Sequence, residues 1–162
     1  MAHKRWVVNA SPLILLGKTG HLGLLGALTD QIAVPRAVAD EVGAKPDGDA
    51  ALQEISATFS FVIVENEAAT PEILSWDLGA GETQVLAHAF AHKAERVVID
   101  DLEARRCAKA MGLGIIGTLG IVGRAKAMGF IDQAEPVVKR LRETGLYVSD
   151  ELVRQLLKEV GE

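Results

Sequence analysis

Apolar residues along the chain gather in short runs separated by longer mixed stretches. Trp6-Val7-Val8, Ile32-Ala33-Val34, Phe59 to Val64, Val97-Val98-Ile99 and Ile115-Ile116 have strand length. They are largely continuous rather than alternating, which is the pattern of strands buried on both faces in a parallel sheet. The stretches between them read as helices. Ser11 is a good N-cap and Pro12 a good first residue, so a buried helix is predicted from Pro12 to Lys18. Further helices are predicted over Leu22 to Leu28, Arg36 to Val42 and Asp49 to Ala57, with a short helical turn from Thr70 to Trp76. A long helix opens at Gly79-Ala80-Gly81-Glu82-Thr83 and runs to about Lys93. Two more follow, one to Met111 and one from Thr118 to Met128. Strand and helix thus alternate up to about Phe130, the signature of a parallel sheet covered on both faces. From Ile131 onward no strand is predicted. Val137-Val138-Leu141 and Leu152-Val153-Leu156-Leu157-Val160 are amphipathic helical patterns joined by a turn at Gly145. The expected organisation is an α/β domain over residues 1–130 and a helical extension over 131–162, which packs on the sheet or grips a partner subunit.

Two of the apolar runs stop at polar residues. Val97-Val98-Ile99 ends at Asp100-Asp101, and Trp6-Val7-Val8 ends at Asn9. In open α/β sheets the ligand crevice lies beyond the carboxyl ends of the strands. On a helical wheel, Val85, Leu86 and Ala89 fall within about 60° of Glu82, which puts Glu82 on the first turn of a buried face near the helix's positive end. Glu41 lies on a helix whose apolar face is Val38 and Val42. Asn9, Glu41, Glu82, Asp100 and Asp101 form a candidate constellation. Carboxylates gathered in one cleft repel one another unless a cation joins them. Hard cations such as Mg²⁺ or Mn²⁺ take such oxygen ligands. The alternative for each acid is a surface charge or helix cap.

Composition narrows the picture. Hydrophobic residues are 49% of the 162 and aromatics only 4%, so the core is aliphatic. The net charge of −5 announces no broadly basic surface. A nucleic-acid partner would have to be held by local basic patches or bound cations. Cys107 is the one cysteine, which excludes an intramolecular disulfide and suits a reducing compartment. The apolar runs are too short for a membrane span or a signal peptide. A cytoplasmic protein with no membrane partner is expected.

Other motifs have plainer explanations. Gly112-Leu113-Gly114-Ile115-Ile116-Gly117 matches G-x-G-x-x-G, but a helix precedes it and the strand lies inside it, so the dinucleotide context is wrong. His88 and His92 have a zinc-compatible i, i+4 spacing, yet they point away from Glu82 and no third ligand is evident, so they are expected to face solvent. Cys107 reads as a buried small residue and Ser11 as a cap. Arg105, Arg106 and Lys109 form a basic cluster beside the acids, and Lys139, Arg140 and Arg142 form another. Such charges are either solvated or meet a phosphate backbone.

Five segments taken in order resemble the PIN-domain family: Val8-Asn9-Ala10-Ser11-Pro12-Leu13-Ile14, Val34-Pro35 with Val38 and Glu41-Val42, Gly79 to Ala87, Val98 to Arg105, and Gly117-Thr118-Leu119-Gly120. The likeness is to a poorly characterised branch of toxin-type nucleases. It implies a three-layer α/β/α sandwich with a central parallel sheet and metal-dependent ribonuclease activity. By this resemblance Glu41, Glu82 and Asp100 are catalytic, with Asp40 the alternative to Glu41. Asn9, Glu41, Glu82, Asp100 and Asp101 ligate Mg²⁺ or Mn²⁺, Ser11 and Thr118 support the site, and Arg105, Arg106 and Lys109 meet RNA. Implied partners are RNA, an antitoxin protein and a second copy of the chain. Asn9 stands where the family carries an acid, which weakens the cation site. The alternative is therefore a catalytically weak nucleic-acid-binding or regulatory protein acting through protein contacts. A phosphoacceptor receiver domain does not fit, because it needs its acidic pair where Asn9 stands.

Overall fold

The computed structural model describes residues 4–58 and 60–162. In chain order the elements are β1 (Arg5–Val8), α1 (Ala10–Lys18), α2 (Gly23–Leu28), β2 (Gln31–Pro35), α3 (Arg36–Gly43), α4 (Gly48–Ala57), β3 (Phe61–Val64), α5 (Pro71–Leu74), α6 (Ala80–His92), β4 (Arg96–Val98), α7 (Leu102–Ala110), β5 (Ile115–Ile116), α8 (Thr118–Ala127), α9 (Ala134–Thr144) and α10 (Asp150–Glu159). The strands form one parallel sheet in the order β3-β2-β1-β4-β5. Trp6, Val7 and Val8 are all buried, as a central strand covered on both faces requires.

The crossovers explain the layers. The connection from β1 to β2 runs one way across the sheet, and that from β3 to β4 runs back. Right-handed crossovers in opposite directions put their helices on opposite faces. Hence α6 lies over β1, β2 and β4, while α1 and α2 pack with α8 on the other side. The fold is a five-stranded parallel sheet flanked by helices.

Two local starts differ from the sequence pattern. Helix α1 begins at Ala10, with Asn9 in the N-cap position in extended backbone. Pro12 still falls in the first turn, where a missing N–H costs nothing. Ser11 is therefore an exposed residue of that turn rather than a cap. The third strand begins at Phe61, and Phe59 lies outside the described residues. The G-x-G-x-x-G segment works as expected for a helix stop. Gly112 has φ 73° directly after α7, and the N–H of Leu113 returns to the carbonyl of Ala108 at 2.9 Å.

The C-terminal helices join the same core. Ala134, Val138 and Leu141 of α9 are buried, and α9 packs against α1 and α8. Its first turn is closed from outside the helix. The Glu162 carboxylate accepts the N–H groups of Ala134 at 2.6 Å and Glu135 at 3.1 Å. Helix α10 buries no residue completely.

Candidate metal centre at the carboxyl end of the sheet

Strand order reverses between β1 and β4, the two strands that deliver Asn9 and Asp100. An open α/β sheet forms its crevice at such a switch point. The N–H of Asn9 donates to the Val98 carbonyl at 3.0 Å, so the sheet ladder sets the position of Asn9. The residue is 4% exposed, and among the described residues its Oδ1 has no hydrogen-bond partner. A buried carbonyl left in that state costs on the order of 1–3 kcal/mol.

Gly81, the second residue of α6, shows what faces that oxygen. A Cβ there would stand 3.3 Å from Asn9 Oδ1, 3.7 Å from Glu41 Oε2 and 3.6 Å from Val38 Cγ2. Val38 and Val42 are buried and seat α3 beside α6. That packing brings Glu41, one residue before Val42, to the gap left by the missing side chain. Asp40, the neighbouring acid, is exposed on α3. Glu82 follows Gly81 and is half-buried. Its Oε2 folds back over the helix start, 2.6 Å from where a Cβ on Gly79 would lie. The positive end of α6 favours a carboxylate there.

Asp100 is held from the opposite side. Its Oδ1 accepts the N–H of Thr118 at 2.7 Å, and its Oδ2 accepts the Thr118 hydroxyl at 2.6 Å. Thr118 is fully buried as the first residue of α8, so it fixes the carboxylate against the start of a second helix. Gly117 permits the close approach. A Cβ there would lie 3.0 Å from Asp100 Oδ1 and 2.7 Å from Arg105 Nη1. Arg105 thus reaches the same point as Asp100. Both line a cleft of about 610 Å³ whose walls include Leu102, Leu119, Tyr147 and Leu156.

The other predicted residues have separate positions. Asp101 is exposed and caps α7, its Oδ2 accepting the N–H of Ala104 at 3.0 Å. Arg106 pairs with Glu103 at 2.6 Å on the outer face of α7, and Lys109 is exposed in its last turn. Cys107 is fully buried, and burial raises its thiol pKa, which suits packing and not attack. The two histidines differ from the expectation. Glu67, in the coil after β3, meets both His88 and His92 and supplies the third ligand group the sequence did not reveal. Sequence reasoning also missed Tyr147, which is fully exposed at the cleft wall. An aromatic residue after the Gly145 turn was the available signal.

Fold and site define an open α/β domain in which Asn9 and Glu41 face one gap beside the switch point, while Asp100 is held separately by Thr118. The chain belongs to the PIN domain family, whose model matches residues 5–162. Members of that family are typically metal-dependent nucleases. Among solved structures, a PilT N-terminus domain protein from the hyperthermophilic archaeon Sulfolobus solfataricus P2 is similar, with a TM-score of 0.47 and 17% identity over 72% of this chain and 89% of that chain. No curated protein matches the sequence. Among the described residues no helix is long and apolar enough to cross a membrane.

The residues present fit the divalent cation that the family uses. Asn9 offers a buried carbonyl oxygen that has no partner among the described residues. Glu41 faces the same gap, and Gly81 leaves the gap open. An all-oxygen donor set of this kind suits a hard cation.

Proposed function

We propose that the protein is a Mg²⁺- or Mn²⁺-dependent endoribonuclease that hydrolyses RNA phosphodiesters. Asn9, Glu41, Glu82 and Asp100 are the residues that would hold the cation. The carrying observation is the unpartnered Oδ1 of Asn9, buried opposite Glu41 across the gap at Gly81. A bound divalent cation would supply charge stabilisation at the phosphoryl oxygens and make water more acidic.

The chain's own groups divide the remaining work. Asp100 is pinned by two hydrogen bonds from Thr118 and keeps its orientation. Glu41 is the exposed carboxylate of the set and is suited to take a proton from the attacking water. Arg105 lies beside Asp100 and is placed to meet a phosphate, and the exposed ring of Tyr147 can stack on an RNA base. These local contacts support RNA binding by a chain whose net charge is −5.

A second reading has its own observation. Asn9 brings no charge to the cation site, and Leu102, Tyr147 and Leu152 expose apolar surface along the cleft that Asp100 lines. These features favour a weak or inhibited nuclease controlled by a protein partner, such as the toxin half of a toxin–antitoxin pair or one member of a homodimer. Cleavage of a mixed RNA pool with Mn²⁺ decides between them. The wild type should cut, and a Glu82→Gln, Asp100→Asn double variant should cut slower by about a hundredfold or more. Equal rates in the two proteins would defeat the ribonuclease reading.

A further inference from the structure

We infer that Glu67, His88 and His92 form a second metal site, one that takes a borderline transition ion such as Zn²⁺ and is separate from the acidic cleft. The three side chains come from two elements. His88 and His92 stand one turn apart on α6, and Glu67 lies in the coil between β3 and α5. His88 Nδ1 is 3.0 Å from Glu67 Oε1, and His92 Nε2 is 2.9 Å from the same oxygen. One ligand atom from each lies within 4.8 Å of the others. With zinc–ligand bonds of about 2.0–2.1 Å, ligand atoms of a tetrahedral ion sit roughly 3.3–3.4 Å apart. Both Glu67–histidine distances fall within about half an ångström of that spacing, and the remaining pair lies within 4.8 Å.

The coil is already fastened without this contact. The Gln84 side chain accepts the N–H of Glu67 at 2.9 Å and donates to the Glu67 carbonyl at 3.0 Å. Asn66 accepts the N–H of Ala37 at 3.0 Å, and Arg36 pairs with Glu65 at 2.9 Å. Gln84, His88 and His92 are at i, i+4 and i+8, so one face of α6 serves Glu67 alone. The Gln84 amide therefore acts as a positioning group that presents the carboxylate to the two imidazoles. Outer partners of this kind orient metal ligands.

The donor set is two nitrogens and one carboxylate oxygen, which suits Zn²⁺ better than Mg²⁺. Two stacked imidazoles, with centroids 4.2 Å apart, repel one another if both are protonated. Burial, then the neighbouring His92, holds the pKa of His88 below its ordinary value, against the opposing pull of Glu67. Arg5 opposes a bound cation, its guanidinium donating to the His92 carbonyl at 3.4 Å. The His92 side chain is 51% exposed, which gives an ion a way in and leaves a coordination position open to water. Arg5, His88 and His92 line a small cavity with Val62 and Val64.

The test is titration of chelator-stripped protein with Zn²⁺ in competition with a chromogenic chelator, and with Co²⁺ followed by its visible absorption. The wild type should bind one equivalent at this site. The Glu82→Gln, Asp100→Asn double variant should retain it, because it alters only the acidic cleft. Glu67→Gln keeps the volume and an acceptor oxygen, and His92→Ala removes an exposed ring. Both should fold as the wild type by circular dichroism and bind at least about tenfold more weakly, and Gln84→Ala should lose about tenfold. Imidazole NMR signals of two of the four histidines should shift with Zn²⁺. The site is overturned if affinity is unchanged in Glu67→Gln and His92→Ala, if the equivalent disappears in the acidic-cleft variant, or if the wild type binds no Zn²⁺.

Discussion

Asn9 and Gly81 are the residues on which the cation site turns. A buried amide oxygen without a donor is tolerated in the folded chain, and a charge at the same place would be far less so. Asn9→Asp should therefore bind Mn²⁺ at least about tenfold more tightly. Without metal it should be less stable than the wild type by about 3–5 kcal/mol, the cost of an uncompensated buried charge. Melting with and without Mn²⁺ measures both. Gly81→Ala makes the opposite separation. Alanine gains about 0.5–1 kcal/mol of helix propensity, but its methyl group would press on Asn9 Oδ1 from 3.3 Å and crowd Glu41. Stability should stay close to wild type while Mn²⁺ affinity in calorimetry falls about tenfold. Asn9 and Asp100 were legible in the sequence because an apolar run stops at each. Glu41 was a candidate from its acid and its helix, but its approach to Asn9 depends on the packing of α3 on α6, which no local pattern encodes. Arg105 approaches Asp100 at Gly117, and Tyr147 lines the same cleft from a C-terminal turn, placements that no local pattern encodes.

Among the elements, the strands were the easiest to read, because the buried centres of β1, β2 and β4 keep those runs apolar. Helix starts were harder. Ser11-Pro12 looked like the beginning of α1, yet the chain turns helical directly after Asn9, whose side chain faces the gap at Gly81. His88 and His92 were read on the correct helix, but their partner Glu67 lies in a coil without periodicity. Helix α9 carries a device that is also invisible locally. Its own N-cap, Gln133, makes no side-chain cap bond, and Glu162 closes the helix from 27 residues away. Chiefly the N–H of Ala134, with that of Glu135 and with Lys126, holds the Glu162 carboxyl below its ordinary pKa, against desolvation. A carboxylate depressed in the folded state adds stability above its unfolded pKa of about 4.3 and loses it as pH falls through its folded pKa. Glu162→Ala should melt below the wild type at neutral pH. In melts taken at stepwise lower pH the difference should shrink and close below the carboxylate range. A constant difference across that range would contradict the capping role.

For the whole molecule, strand–helix alternation was sufficient to read a parallel sheet covered on both faces. The helical extension and the sheet share one core through α9. A net charge of −5 gives RNA no general attraction, so single cations should matter. Arg105→Ala should weaken RNA binding several-fold and flatten the salt dependence by about 0.7 in logarithmic slope, the value for one single-strand phosphate contact. Fluorescence anisotropy over a salt series measures this, and an unchanged slope would remove Arg105 from the RNA path. The cation site itself is tested most directly by calorimetric titration of the metal-free protein with Mn²⁺. One equivalent should bind the wild type, and Asp100→Asn should bind at least about tenfold more weakly. Absence of binding at millimolar Mn²⁺, or equal affinity in the two proteins, would contradict a cation held by Asn9, Glu41, Glu82 and Asp100.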